Sequence, residues 1–288
     1  MLTPYTSLTR ILILFAVVWL AACGQLISNA KREFAEDISA TILEQDDPET
    51  VREAIPAYLI LVSSMIRGEP DNVGLLMSGS RLYGAYASVF VEDTARKQKL
   101  SDSSFKYAER AFCLRRPGMC NFRELSYSGF EQALSSITSS DVDVLFALGS
   151  AWAGWIQAYS SDWNAVAELP RVEAVIQRVL ELDETISNGD AHMYMGVMYS
   201  FLPPAMGGKP ELAKEHFERA IAISHQSNLM AMLLYAQKYA RLVFDKALHD
   251  RLLHQIIDAK VDVADMTLIN TIAKSRAAEL LAESDEYF

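Results

Sequence analysis

The chain has 288 residues, 51% of them hydrophobic, with a net charge of −11 and a pI near 5.0. That apolar fraction supports a sizeable core and excludes a mostly disordered chain. The negative field repels phosphate backbones, and the short basic groups Lys31-Arg32, Lys97/Lys99 and Arg115-Arg116 form no stripe to reverse it, so nucleic acid is not an expected partner.

In chain order, the first element is a targeting segment. Arg10 precedes the apolar run 11–20 (ILILFAVVWL), which is too short for the roughly 20 residues that span a bilayer. It has the length of a signal-peptide core, so residues 1–22 are expected to be a signal peptide and 23–288 a single mature domain. Leu20-Ala21-Ala22-Cys23 resembles a bacterial lipobox, in which the cysteine is diacylglycerated and becomes the mature N-terminus. The other reading is an ordinary signal with an incidental cysteine. The lipobox reading expects a periplasmic, lipid-anchored protein, and Gly24 in place of Asp favours the outer membrane.

No stretch alternates with a period of two, so the expected class is all-α. Gly and Pro gather at 68–74, 117–118, 129, 170 and 203–210, which read as joints between helices. Aligning the chain on glycine shows a repeat. Leu75-x-x-Ser78-Gly79-x-x-Leu82 matches Leu145-x-x-Leu148-Gly149-x-x-Trp152 and His192-x-x-Met195-Gly196-x-x-Tyr199. This is the pattern of the first helix of a tetratricopeptide repeat: the small residue admits a neighbouring helix and the large ones fill the groove beside it. The second helix carries Ala213-x-x-x-Phe217-x-x-Ala220, with counterparts Ala108-Glu-Arg-Ala111 and Ile176-Gln-Arg-Val179 and a weaker copy at Leu253-His-Gln-Ile256.

Helix pairs are therefore predicted near 75–111, 145–180, 192–224 and 229–258, about four in all. A closing helix is predicted near 264–283, with further N-terminal helices within 24–72. The Pro203-Pro204-Ala-Met-Gly207-Gly208-Lys-Pro210 stretch reads as the turn inside one pair. Its prolines stop one helix and start the next, and Gly207-Gly208 permit a left-handed bend. It lacks the spacing and the Ser or Thr of a phosphate loop. The uneven glycine intervals exclude a regular open solenoid, so extra helices and loops should cover the repeats.

Catalytic and metal sites are not expected. The histidines 192, 216, 225, 249 and 254 form no metal-binding spacing, and His216 and His249 read as surface residues. No G-x-S-x-G elbow is present, Ser78-Gly79-Ser80 lies inside a helix, and no cofactor motif occurs. Asp141 and Asp143 read as caps of the helix that follows. Cys113 and Cys120 flank the turn signal Pro117-Gly118 and could be bridged in an oxidising compartment or be two buried thiols. Trp152, Trp155 and Tyr159 share one helical face, and Tyr83 and Tyr86 make a similar stripe. Each stripe is either core or the wall of a cavity for a small amphipathic ligand. Arg110, Arg178 and Arg219 recur at one repeat position, where they pair with acids of the adjacent helix or gather around a ligand carboxylate.

Several stretches together resemble the T component of TRAP transporters, an accessory periplasmic lipoprotein built on tetratricopeptide-like helices. They are Leu75 to Phe90 (LLMSGSRLYGAYASVF), Leu145 to Trp155 (LFALGSAWAGW), the segment from Leu169-Pro170 through Glu184, Leu202 to Ala220 across the Pro-Gly turn, and the closing Leu280 to Phe288. The resemblance implies a non-enzymatic subunit that associates with the substrate-binding P subunit. It further implies a homotrimer with apolar cavities that handles a hydrophobic organic acid. The cysteine pair is not part of that resemblance. The competing expectation is an outer-membrane-anchored helical scaffold for other envelope complexes.

Overall fold

A computed structural model describes residues 33–34 and 37–288; the predicted signal peptide and Cys23 lie outside the described residues. All regular structure among these residues is helical, and no strand is present among them. After helical residues 37–43 come α1 (Pro48–Gly68), α2 (Val73–Phe90), α3 (Thr94–Arg115), α4 (Tyr127–Ser135), α5 (Val142–Ala158), the short α6 (Trp163–Val166) and α7 (Leu169–Leu182). The chain continues through α8 (Ile186–Tyr199), α9 (Pro210–Ile223), α10 (Leu229–Leu234), a π-helical stretch at Tyr235–Ala240, α11 (Lys246–Asp258), α12 (Thr267–Ala282) and α13 (Ser284–Tyr287). No helix among the described residues is long and apolar enough to cross a membrane.

Local chemistry sets the boundaries. Asp47, Asn72, Asp93, Ser126, Asp162, Asn228 and Asp245 each accept a hydrogen bond from a backbone N–H in the first turn of the helix they precede, which satisfies donors that the helix itself leaves unpaired. Asp141 stands at the cap position of α5 but makes no such bond. Its carboxylate is instead held by Arg116 at 2.8 Å, so the expected cap is a buried ion pair. Gly129 and Pro170 lie in the first turns of α4 and α7, not between helices.

The repeat motif is visible as packing. Two of the three aligned glycines lie against the helix that follows, whereas Gly79 lies closest to Ile66 of the preceding α1. A methyl group on Gly149 would sit 2.6 Å from Cδ1 of Ile176 on α7, and one on Gly196 would sit 2.9 Å from the ring of Phe217 on α9. The second-helix positions Ala108, Ala111, Ile176, Val179, Phe217, Ala220, Leu253 and Ile256 are all fully buried. The extra length between α3 and α5 folds as three short 3-10 turns and α4, which cover the pair from outside with Phe122 and Phe130. Cys113 and Cys120 form a disulfide there, Cα to Cα 4.5 Å, tying the end of α3 to this segment.

In the turn between α8 and α9 only Gly207 takes a left-handed conformation, φ +96°. Gly208 has a different role: a side chain on it would collide with the carbonyl of Leu202. The last long helix returns to the start of the array. α12 packs against α1, and Arg276 donates to the carbonyl oxygen of Val89 at 2.9 Å. The helix pairs are thereby joined end to beginning.

Candidate functional site

The five aromatic candidates go to three different places. Trp152 is fully buried, stacked on Phe105 at 5.5 Å and met edge-on by Phe122 and Phe130, and its Nε1 donates to Glu168 at 2.7 Å. It is sealed core and has no face left for a ligand. Tyr86 is also buried, with the Arg96 guanidinium over its ring at 5.5 Å.

Trp155 and Tyr159 are half-buried, with ring centroids 5.0 Å apart. Both polar ends point at one carboxylate. Trp155 Nε1 donates to Asp102 at 2.9 Å, and the Tyr159 hydroxyl lies 3.1 and 3.0 Å from its two oxygens. Burial, then Asp102, pushes the Tyr159 phenol up. Arg123 lies over Phe105, Trp152 and Trp155 and pairs with Glu168 and with Glu109. This rim presents a carboxylate beside its aromatic face, so a ligand anion placed there would meet Asp102 and lose energy to like-charge repulsion.

Tyr83 leads elsewhere. Its hydroxyl is 2.8 Å from Ser63 Oγ, and its ring meets Tyr107 edge-on at 5.7 Å. Ser63 and Tyr107 line an open cleft of about 330 Å³ between α1 and α3. Arg67, Lys106 and Arg110 stand around the cleft, and Pro70 lines it as well, with Ile66 and Leu76 packed behind.

The repeated arginines do not share one environment. Arg110 pairs with Asp71 in the α1–α2 loop, and Arg219 makes two hydrogen bonds to Glu184 in the loop before α8. Arg178 pairs within its own helix to Glu181 and donates to the carbonyls of Ser135 and Ile137. They hold loops to helices and form no ring.

Two histidine expectations are corrected. His249 is fully buried, with Nδ1 2.9 Å from Asp250 and its ring against Phe288. His216 is half-buried, its Nδ1 2.8 Å from Nδ1 of His192 across the α8–α9 pair. Burial lowers both pKa values, His216 to about 4 with His192 adding to the effect. Among the described residues no group of three or more His, Cys, Asp or Glu side chains is placed to hold a metal ion.

One polar centre had no sequence signal. Asp190 at the start of α8 accepts from Asn228 Nδ2 at 2.9 Å, and burial pushes its pKa up to about 6. Tyr194, one turn on, bonds to Ser150 and meets Phe146 edge-on at 5.9 Å. Its phenol is raised far above the ordinary value, first by burial and then by Asp190. Phe146 and Ser150, four residues apart on α5, meet this half-buried side of α8, on a different side from the glycine contacts.

Stacked helix pairs, closed by a returning C-terminal helix and leaving a cation-lined cleft, define an all-α helix-pair protein. The sequence places it more narrowly. Residues 44–288 match the family described as TRAP transporter T-component, and the chain belongs to that family, which comprises accessory transport subunits. It is also 26% identical over 280 residues to a protein of Treponema pallidum (strain Nichols) described as uncharacterized, with 88% of this chain and 84% of that protein covered.

Proposed function

We propose that the chain is a lipid-anchored periplasmic subunit that docks with the substrate-binding P subunit of a TRAP transporter and handles a hydrophobic organic acid without turning it over. The observation that carries this reading is the family match over residues 44–288. Leu20-Ala21-Ala22-Cys23 supports the anchor, through acylation of Cys23, and Gly24 supports the outer membrane as its address. Acyl chains contribute about 0.8 kcal/mol per buried CH₂, so two or three of them hold a protein stably on a leaflet. Exposed apolar side chains on α1 and α6, Ile60 at 74% and Trp163 at 71%, supply surface that docking to a P subunit or assembly into a homotrimer would cover.

The test is affinity purification of the tagged full-length protein from its own host's membranes. The expected result is an acylated N-terminal Cys23, co-purification of the P subunit, and a trimeric mass after detergent extraction. A Cys23→Ser variant should lose the acyl mass and leave the membrane fraction. An unacylated wild-type protein would overturn the anchor. Recovery of other envelope proteins with no P subunit would replace the transport reading with the general scaffold.

A further inference from the structure

We propose that the cleft between α1 and α3 binds a small carboxylate carrying a short apolar tail. The proposal deepens the ligand half of the functional reading and rests on it, but it concerns the isolated chain and does not depend on the P subunit.

Charge is the first argument. The chain carries −11 overall, yet Arg67, Lys106 and Arg110 converge on one cleft. Among the described residues, no carboxylate pairs with Arg67 or Lys106. Arg110 pairs only with Asp71, and that pair is open to solvent, 48% and 72% exposed. Exposed pairs of this kind contribute about 0–1 kcal/mol, so an incoming carboxylate can take the place of Asp71 at little cost. Guanidinium groups bind carboxylates through paired N–H donors, a geometry that a lone lysine does not offer.

Hydroxyl groups are the second argument. The Tyr107 hydroxyl donates to Ser63 Oγ at 3.4 Å, and Ser63 lies 2.8 Å from the Tyr83 hydroxyl. This chain holds the wall of the cleft in place and puts polar groups on the same side as the cations. Shape is the third. Exposed Pro70 and the half-buried ring of Tyr107 give the cleft apolar surface beside its charged rim, with Ile66 and Leu76 packed behind them. A volume of about 330 Å³ lies at the small end of ligand pockets and suits a small acid. Charged rim, hydroxyl wall and apolar surface together select for both ends of such a molecule, whereas the Asp102 rim beside Trp155 selects against its charged end.

The experiment is calorimetric titration and thermal shift of the acylated full chain in detergent, with hexanoate, acetate and hexan-1-ol as probes. Hexanoate should bind and raise Tm, acetate should bind at least tenfold more weakly, and hexan-1-ol should bind no better than acetate. Raising salt should weaken hexanoate binding, because the rim is exposed. The double variant Arg67→Gln/Lys106→Gln changes two exposed side chains and should fold as wild type by circular dichroism, with at least a tenfold loss of hexanoate affinity. A Tyr107→Phe variant should show a smaller loss. Equal binding of hexanoate and hexan-1-ol, or wild-type hexanoate affinity in the double variant, would overturn the proposal. Neither outcome would bear on P-subunit docking, which the purification above tests separately.

Discussion

Replacing Gly79, Gly149, Gly154 and Gly196 by alanine should separate two opposed effects whose balance can be worked from the structure. In an exposed helix interior, Gly→Ala stabilises by about 1 kcal/mol through backbone entropy. Overpacking a tight core costs about 1–3 kcal/mol. Gly154 is the reference: nothing lies within 4 Å of its added Cβ, so Gly154→Ala should stabilise by about 0.5–1 kcal/mol. At Gly79 the new methyl would be 2.7 Å from Ile66 Cδ1, the tip of a flexible side chain, and 3.2 Å from Tyr107. Ile66 can turn aside, so a change near zero is expected, about 1 kcal/mol in either direction. At Gly149 the methyl meets Ile176 at 2.6 Å and also Val175 Cγ1 at 2.9 Å, and a branched valine has no free end to move. At Gly196 it meets three ring atoms of Phe217, all at 2.9 Å, in a side chain that is fully buried. A ring stacked on Tyr235 at 5.3 Å cannot retreat without displacing the π-helical stretch that Tyr235 begins. Gly149→Ala and Gly196→Ala should each destabilise by about 1–3 kcal/mol net, and Gly149→Leu by more. Urea unfolding followed by circular dichroism, with midpoints compared at constant m, measures the series. The reasoning fails if Gly196→Ala is as stable as Gly154→Ala, since the helix approach would then not depend on the missing side chain.

Trp152→Ala should cost about 3–5 kcal/mol as a sealed aromatic, whereas Trp155→Ala, half-buried, should cost about half as much; equal losses in thermal or urea melts would remove the distinction drawn between the two rings. The His192–His216 contact should make stability depend on pH. Glu184 and Arg219 face His192, and Tyr199 packs against His216 with Glu173 and Lys209 beyond it. Both histidine pKa values are lowered in the folded chain, so the stability they contribute is fully present above the unfolded value of about 6.5 and is lost as pH falls toward about 4. After discounting for solvent screening the loss is about 1–2 kcal/mol. Asp190 works with the opposite sign: its pKa is raised from 3.8 to about 6, so its contribution is lost as pH rises through that range. The informative comparison is therefore His216→Gln against wild type with Asp190 intact, where the variant should show a shallower fall of Tm between pH 6.5 and pH 4.5; parallel curves would exclude the histidine pair as the cause.

What could be read from the sequence was what depends on periodicity within one helix. Gly149 and Gly196 announce close helix approach because a larger side chain would meet the next helix, and Ala213-x-x-x-Phe217-x-x-Ala220 announces the surface that fills the space. Both are local patterns, and together they gave the pairing of helices without any knowledge of how the pairs stack. The misreadings share a physical cause, which is that polar groups find partners at a distance no local pattern encodes. Asp141 has the position and chemistry of a cap, yet Arg116, at the end of another helix, takes its carboxylate. His249 looked like a surface residue, but it is covered by Phe288 near the other end of the C-terminal region. Asp190 drew no attention because its partner Asn228 lies on another helix pair. The aromatic stripes fail as a ligand site for the same physical reason. Trp155 and Tyr159 are recognisable as a face, but whether that face can accept an anion is decided by Asp102 on α3, and Arg67 of α1 joins Lys106 and Arg110, one turn apart on α3, only when both helices pack on α2. An anion site in a protein of this charge has to be sought where cations are gathered and only weakly paired: at the α1–α3 cleft Asp71 holds Arg110 through an exposed pair and no carboxylate among the described residues holds Arg67 or Lys106, whereas at the aromatic rim Asp102 is bound by both Trp155 and Tyr159.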